Sequence, residues 1–334
     1  METNQVCILH SEVGVPTHLL TSEQLKLIKS ALTISNPLFE QRTKLRIIPW
    51  GIPKSLEYWK ETTPGILTIP VGIFPKIIKK WNLPYQDARE EGQKLKITFS
   101  GVLRDYQAAA VDRMLQGTIG TVQATTGSGK TVIAIAYIAQ RARSTLILVD
   151  TIELANQWID RIKTFTNVKE VGMIGNGVYD IKPITVALLQ SMHRMDDTKL
   201  QNLSKDFGVV ICDEVHCVAA NTYYNVMSKL PCKYKHGLSA TPKREDGLTS
   251  VIFWAAGPII YKIEEDALQS HLVFPKYEKI ETKYSYPLFS AQDYAIMLSD
   301  LSVDDERNEL IKETWEANAV KNKPLYYVLG CYKF

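Results

Sequence analysis

Residues 124–131 read Ala-Thr-Thr-Gly-Ser-Gly-Lys-Thr, between an apolar run, Ile119 to Gln123, and a stretch from Lys130 to Arg143 whose apolar residues recur at helical spacing. A glycine-bearing turn that ends a buried strand and opens a helix restricts the fold more than any other feature of the chain. Gly127 and Gly129 permit the backbone to turn successive N–H groups inward, and the helix adds its positive amino end, so the loop is built to cradle phosphate. Thr126, Gly127, Ser128 and Gly129 would line that cradle. Lys130 is expected to bridge the β- and γ-phosphates of ATP, and Thr131 to hold Mg²⁺ through its hydroxyl. Ala124 stands where such loops usually carry their first glycine. A plain Gly-Ser loop with a solvated lysine is the competing reading, and the flanking strand and helix argue against it.

Further apolar runs follow from about 101 to 262: Thr145 to Val149, Ile184 to Leu188, Val209 to Cys212 and Gly237 to Ser239. Nearly continuous apolar runs suit strands covered on both faces. Strand, helix, strand in repetition means an α/β fold with a parallel sheet flanked by helices and joined by right-handed crossovers. Such sheets place their chemistry at the carboxyl ends of the strands. Residues 1–96 have another texture, with short apolar runs broken by Asn36-Pro37, Gly51-Ile52-Pro53, Pro64-Gly65 and Pro70-Val71-Gly72. There Leu45 to Trp50 and Gly65 to Ile69 are expected as strands, and Thr21 to Leu32 and Phe74 to Trp81 as helices. The expected division is a small α+β N-terminal domain (1–96), the parallel-sheet domain (97–265) and a remainder (266–334).

Val209-Val210-Ile211-Cys212 runs directly into Asp213-Glu214-Val215-His216. Two adjacent carboxylates that close a buried strand are costly without a cation, and Mg²⁺ supplies one. Asp213 is expected to hold the metal, and Glu214 to orient and deprotonate the attacking water. Composition says less. The formal net charge of +3 neither demands nor excludes nucleic acid, because a basic track suffices. The 5 cysteines form no Cys-x-x-Cys pair, so zinc is a poorer reading than reduced thiols in a cytosolic protein. The amino terminus shows no secretory pattern and no apolar run is long enough to cross a bilayer. A cytoplasmic protein without membrane contact is expected (the host cytoplasm, if viral).

The phosphate loop, the Asp213-Glu214-Val215-His216 box and Leu238-Ser239-Ala240-Thr241-Pro242 together resemble motifs I, II and III of superfamily 2 helicases. Leu103-Arg104-Asp105-Tyr106-Gln107 resembles the upstream Q-type motif, which implies adenine contact by Gln107 with Arg104 beside it. Val149 to Trp158 is similar to motif Ia, and Gln190-Ser191 to a further element on the polynucleotide track. The resemblance thus implies nucleic-acid contacts by Gln157, Trp158, Gln190 and Ser191, and coupling of hydrolysis to domain movement by His216, Ser239 and Thr241. Stacking on bases by Tyr223, Tyr224 or Trp158 competes with the commoner fate of packing against helices. Arg244-Glu245-Asp246, Gly257-Pro258-Ile259-Ile260-Tyr261 and Arg307-Asn308 resemble the XPB-like branch, which includes phage DNA helicases, and Arg244 then joins the nucleic-acid side. Membership of that branch would imply a RecA-like sheet, ATP and Mg²⁺ as cofactors, and DNA rather than RNA as partner.

Complete members of that superfamily hold ATP between two RecA-like domains, the second supplying arginine fingers. Leu325 to Leu329 resembles the first strand of a second such domain, and no Gln-x-x-Gly-Arg-like motif is present in these 334 residues. The chain by itself is therefore expected to bind ATP and hydrolyse it slowly, because a finger is worth ~10³ or more in turnover. A shortened piece, an interrupted gene and an enzyme completed by a second polypeptide all fit. Two other functions compete with a DNA helicase or branch-remodelling translocase: a duplex translocase subunit of a restriction-type system, and a non-catalytic module that binds nucleotide and DNA.

Overall fold

Seven short strands come first in the computed structural model, which describes residues 6–215, 220–241, 246–264, 282, 284–285 and 291–319. They are β1 (Cys7–Leu9), β2 (Glu12–Pro16), β3 (Thr33–Ser35), β4 (Ser55–Glu57), β5 (Lys60–Thr63), β6 (Ile66–Pro70) and β7 (Tyr85–Asp87). A five-stranded sheet runs β5-β6-β2-β1-β7, and β3 pairs with β4. Burial alternates along β1 and β2, the pattern of a sheet with one face packed. The helix Ser22–Ala31 starts at a capping box in which Thr21 and Gln24 satisfy each other's backbone N–H groups. Phe74–Trp81 is a helix with Pro75 in its first turn and the left-handed Asn82 as its stop.

The strand expected over Leu45 to Trp50 does not form. The helix Pro37–Lys44, capped by the Asn36 side chain, occupies the preceding residues, and the chain leaves it through Arg46 at φ 57°. Pro49 then has no N–H for a ladder, and Gly51 turns at φ 71°. The run becomes an exposed loop with Trp50 82% accessible.

Eight further strands make the second sheet: β8 (Ile119–Gln123), β9 (Thr145–Val149), β10 (Gly172–Gly175), β11 (Val178–Asp180), β12 (Ile184–Leu188), β13 (Val209–Cys212), β14 (Tyr234–Ser239) and β15 (Ile259–Lys262). Their order is β11-β10-β12-β9-β13-β14-β8-β15, parallel throughout except for the β10–β11 hairpin. Adjacent residues of β9 face opposite sides: Leu146 and Leu148 enter one apolar cluster, Ile147 and Val149 the other. From β8 the chain passes through the helix Lys130–Arg141 to β9, stepping over β14 and β13. That step leaves the carboxyl ends of β8, β14 and β13 side by side at the edge of the sheet where open α/β sheets bind ligands.

The two sheets share a core. Cys7, Val13, Leu67 and Phe74 belong to the same cluster as Leu146, Leu148, Tyr224 and Trp254, and Met1–Leu272 is one compact unit. Tyr58 sits between the two, its ring 4.9 Å from Tyr224 and 5.0 Å from Trp254 and its hydroxyl donating to Asn221 Oδ1 at 2.6 Å. At Gly72 a Cβ would lie 2.1 Å from the carbonyl of Phe253, so only glycine lets this turn meet the helix Thr249–Ala256. Lys235, fully buried on β14, donates to the carbonyls of Ser11 at 3.3 Å and Met227 at 2.9 Å.

Within Val273–Phe334, the second unit, the helices Ala291–Ser302 and Asp305–Ala319 are described. Arg307, 8% accessible, donates to the Leu301 carbonyl and to Asn308 Oδ1 while its amide is capped by Asp304. Leu325 to Leu329 lies outside the described residues.

Candidate nucleotide site

The loop after β8 is wound by its own polar groups. Ser128 is buried, and both its amide (3.2 Å) and its hydroxyl (2.7 Å) donate to the Thr125 carbonyl. Gly127 and Gly129 have φ of 82° and 84°, where a side chain is strained, and a Cβ on Gly129 would also sit 2.4 Å from Gln107 Nε2. Lys130 is the first residue of its helix and is 9% accessible, with Nζ directed back over the loop to the Ala124 carbonyl at 3.3 Å. Thr126 and Gly127 are exposed on the rim, and Thr131 is half-buried on the first turn.

Upstream residues brace this loop. Gln107 donates through Nε2 to the Ser128 carbonyl at 2.9 Å and accepts the Arg104 amide on Oε1 at 3.0 Å. Tyr106 donates to the same Ser128 carbonyl at 3.3 Å and receives Arg104 Nη1 at 2.9 Å. Gln107 is thus a backbone clamp on the phosphate loop; Arg104 is exposed beside it. Tyr106 is a site residue that motif reasoning misses, although its place one residue before Gln107 puts it on the same helical turn.

Two strands away, β13 ends in a sharp turn. The Asp213 amide donates to the Leu148 carbonyl on β9 at 2.9 Å, and Glu214 takes φ 47°, a left-handed backbone that is costly for a carboxylate residue. Val215 then returns to the sheet through the Leu238 carbonyl at 3.2 Å. This turn swings Glu214 toward the phosphate loop, and its Oε1 lies 2.9 Å from Lys130 Nζ. The glycine turn and the acidic strand end therefore open on the same side of the sheet and meet through a largely buried ion pair.

Asp213 is 6% accessible. Burial pushes its carboxyl above the ordinary carboxylate range, against the pull of the Trp158 N–H; the Glu214 charge adds to the rise and Lys130 opposes it. A buried carboxylate with that handicap fits a divalent cation, which would relieve it. In the phosphate loop the Thr125 hydroxyl is shielded and without a hydrogen-bond partner among the described residues.

Ser239, fully buried at the end of β14, accepts the Ala124 amide on its carbonyl at 2.8 Å, next to the Leu238 carbonyl that takes Val215. Thr241 is exposed. Gln157 and Gln190 are exposed and Ser191 is half-buried. Trp158 requires a correction. It is 1% accessible, and its indole Nε1 donates to Asp213 Oδ2 at 2.8 Å, so its ring offers no face to a base. The physical reason is the helix period: Ala155, Trp158 and Ile162 form the buried stripe of the helix Ile152–Phe165, spacing already visible in the sequence. Tyr223 and Tyr224 are buried as well, the packing that was the commoner expectation. His216 and Arg244 lie outside the described residues, as does Cys217; Cys212 and Cys232 are buried free thiols.

Residues 100–244 match the family described as Type III restriction enzyme, res subunit. A protein of Acanthamoeba polyphaga mimivirus that carries the name ATP-dependent RNA helicase L396 is 31% identical over 321 residues, 89% of this chain and 58% of its own length. The DNA 3'-5' translocase XPB2 of Sulfurisphaera tokodaii is 36% identical over 160 residues, 48% of this chain and 35% of its own. The matched family, these relatives and the three motifs together support placing the chain with the superfamily 2 helicases of the XPB-like branch. The UvsW helicase from Bacteriophage T4 has the same fold, with a TM-score of 0.55 at 17% identity over 77% of this chain and 99% of that chain. The chain spans 58% and 35% of the lengths of the two curated relatives above. Among its described residues no helix is long and apolar enough to cross a membrane.

Proposed function

We propose that the chain is the ATP-binding half of a DNA-stimulated motor, an ATP- and Mg²⁺-dependent helicase or translocase. One observation carries the reading: Lys130 Nζ and Glu214 Oε1, far apart in sequence, stand 2.9 Å apart at the carboxyl edge of the sheet. In this reading the backbone of Thr126, Gly127, Ser128 and Gly129 receives phosphate oxygens and Lys130 neutralises the β- and γ-phosphates. Thr131 and Asp213 are the residues that would hold Mg²⁺, which when bound supplies charge stabilisation at the γ-phosphate. Glu214 is then released from Lys130 to orient a water and take its proton. Arg104 and Gln107 sit on the adenine side, Gln107 chiefly by fixing the loop at Ser128. Ser239 and Thr241, with His216, would pass the change on to Gln157, Gln190, Ser191 and Arg244 along the polynucleotide.

DNA is preferred to RNA as the partner because of the XPB-like branch, although the names of the relatives above include both an RNA helicase and a DNA translocase. Residues 1–96 act as an accessory region, and arginine fingers would come from a second RecA-like domain or another polypeptide. We place the work inside the cell, in the host cytoplasm if the protein is viral. The test is ATP turnover with and without duplex, forked and RNA effectors, beside Lys130→Ala. Turnover stimulated by DNA and lost in Lys130→Ala is the expected result. Equal rates for both chains would overturn the motor reading, and stimulation by RNA alone would change its partner.

A further inference from the structure

We propose that Trp158 is a positioning residue: it aims the Asp213 carboxylate at the metal and makes that aim depend on the helix Ile152–Phe165. The inference rests on the nucleotide reading of the site and deepens it. The two oxygens of Asp213 are held from different directions. Oδ2 accepts the Trp158 indole N–H at 2.8 Å, and Oδ1 accepts the Glu214 amide at 3.0 Å. Its backbone is fixed by the Leu148 carbonyl of β9. Each carboxylate oxygen keeps a further lone pair, so the carboxylate remains available to a cation while its plane is set.

The setting arm is rigid. An indole has two side-chain torsions and no flexible stem, and this one is buried between Ala155 and Ile162 on the packed stripe of its helix. A small movement of the helix therefore moves Nε1 and cannot be taken up by the side chain. The next residue back, Gln157, faces outward, and Thr151 caps the helix through Leu154 N at 3.3 Å. Whatever lies against that outward face acts on the residue that orients the carboxylate, with no intermediary beyond one peptide bond. Coupling of this kind is reciprocal: polynucleotide on the helix raises metal-nucleotide affinity, and metal-nucleotide raises polynucleotide affinity.

A buried tryptophan that merely finds the nearest acceptor would tie the same bond for stability alone, and a magnesium titration separates the two. Binding of a fluorescent ATP analogue to the full chain is followed against Mg²⁺ concentration, with and without forked DNA. The comparison uses wild type, Trp158→Phe, and Trp158 replaced by 3-benzothienylalanine, which keeps the shape and lacks the N–H. The expected result is a Mg²⁺ midpoint raised about tenfold in both variants, the scale of one hydrogen bond to a charged group. Analogue affinity in EDTA stays unchanged, and DNA no longer lowers the midpoint. Should Trp158→Phe fail to fold, the isosteric variant decides. A wild-type midpoint in that variant, or a midpoint that still responds to DNA, overturns the inference while leaving the nucleotide reading standing. Wild-type binding that ignores Mg²⁺ overturns the inference, and a wild type that does not bind the analogue at all removes the nucleotide reading with it.

Discussion

The two sheets of the larger unit use their residues differently. In the eight-stranded sheet β9 and β13 are buried along their whole length, and burial cannot say which face is which; direction is set by the helices on either side. In the five-stranded sheet burial alternates along β1 and β2, and β5 is exposed throughout. The eight-stranded sheet carries Lys130, Asp213 and Glu214 at the ends of β8 and β13. The five-stranded sheet and its connections contribute none of these three, and instead cover the eight-stranded sheet through Tyr58, Gly72, Phe74 and the carbonyl of Ser11. Chemistry and cohesion have been divided between them, so changes in one should leave the signature of the other alone.

The sharpest way to break that division is Glu214→Gln. It should lower stimulated turnover by roughly 10³-fold, since a general base and its water are lost, while nucleotide binding and the thermal midpoint stay near wild type. A large drop in midpoint would mean that the site also carries stability. Next comes Gly72→Ala. The new methyl meets the backbone of Phe253 and Trp254, which cannot swing aside as a side chain can, and the cost should be about 1–3 kcal/mol by denaturant unfolding. Nucleotide affinity below the transition should be unchanged; a tenfold loss would show the sheets to be coupled.

The smallest effect is at Lys235. Burial lowers its ammonium from 10.5 to about 8. The unfolded chain therefore binds more protons than the folded one between those pH values, and this group's contribution to stability rises with pH across that window. Compared with Lys235→Met, wild type should gain on the order of 1 kcal/mol between pH 8 and 10. A constant gap would show that the lysine is not desolvated where the two sheets join.

Where local chemistry decides the outcome, the sequence was readable. The glycine turn, the apolar strand before it and the helix after it are local, and β8, β9, β12 and β13 lie where their apolar runs predicted. The helix Phe74–Trp81 is bounded by a proline start and an asparagine stop, both written in the chain. The misses are tertiary. Leu45 to Trp50 has strand-like composition but no neighbour to pair with. The β10–β11 hairpin turns at Asn176 and Gly177 over strands too short to show a period. β15 lies beyond the expected strands because Ile259 to Lys262 joins β8 from the far edge, with a register shift between Ile259 and Tyr261. At the site, Asp213 and Glu214 were legible from their position after a buried strand. The bond from Trp158 to Asp213 joins residues separated by a whole crossover, and only the folded sheet shows that they meet.

The covering role of the leading segment bears on how this protein can be handled. Stripping off the first ninety or so residues to isolate a minimal nucleotide-binding piece would bare Tyr224 and Trp254, now 9% and 8% accessible, together with the aliphatic side chains beneath them. A contiguous oily patch of that kind promotes self-association. A clean N-terminal deletion would thus yield aggregate rather than a simpler ATPase, and its inactivity would say nothing about catalysis.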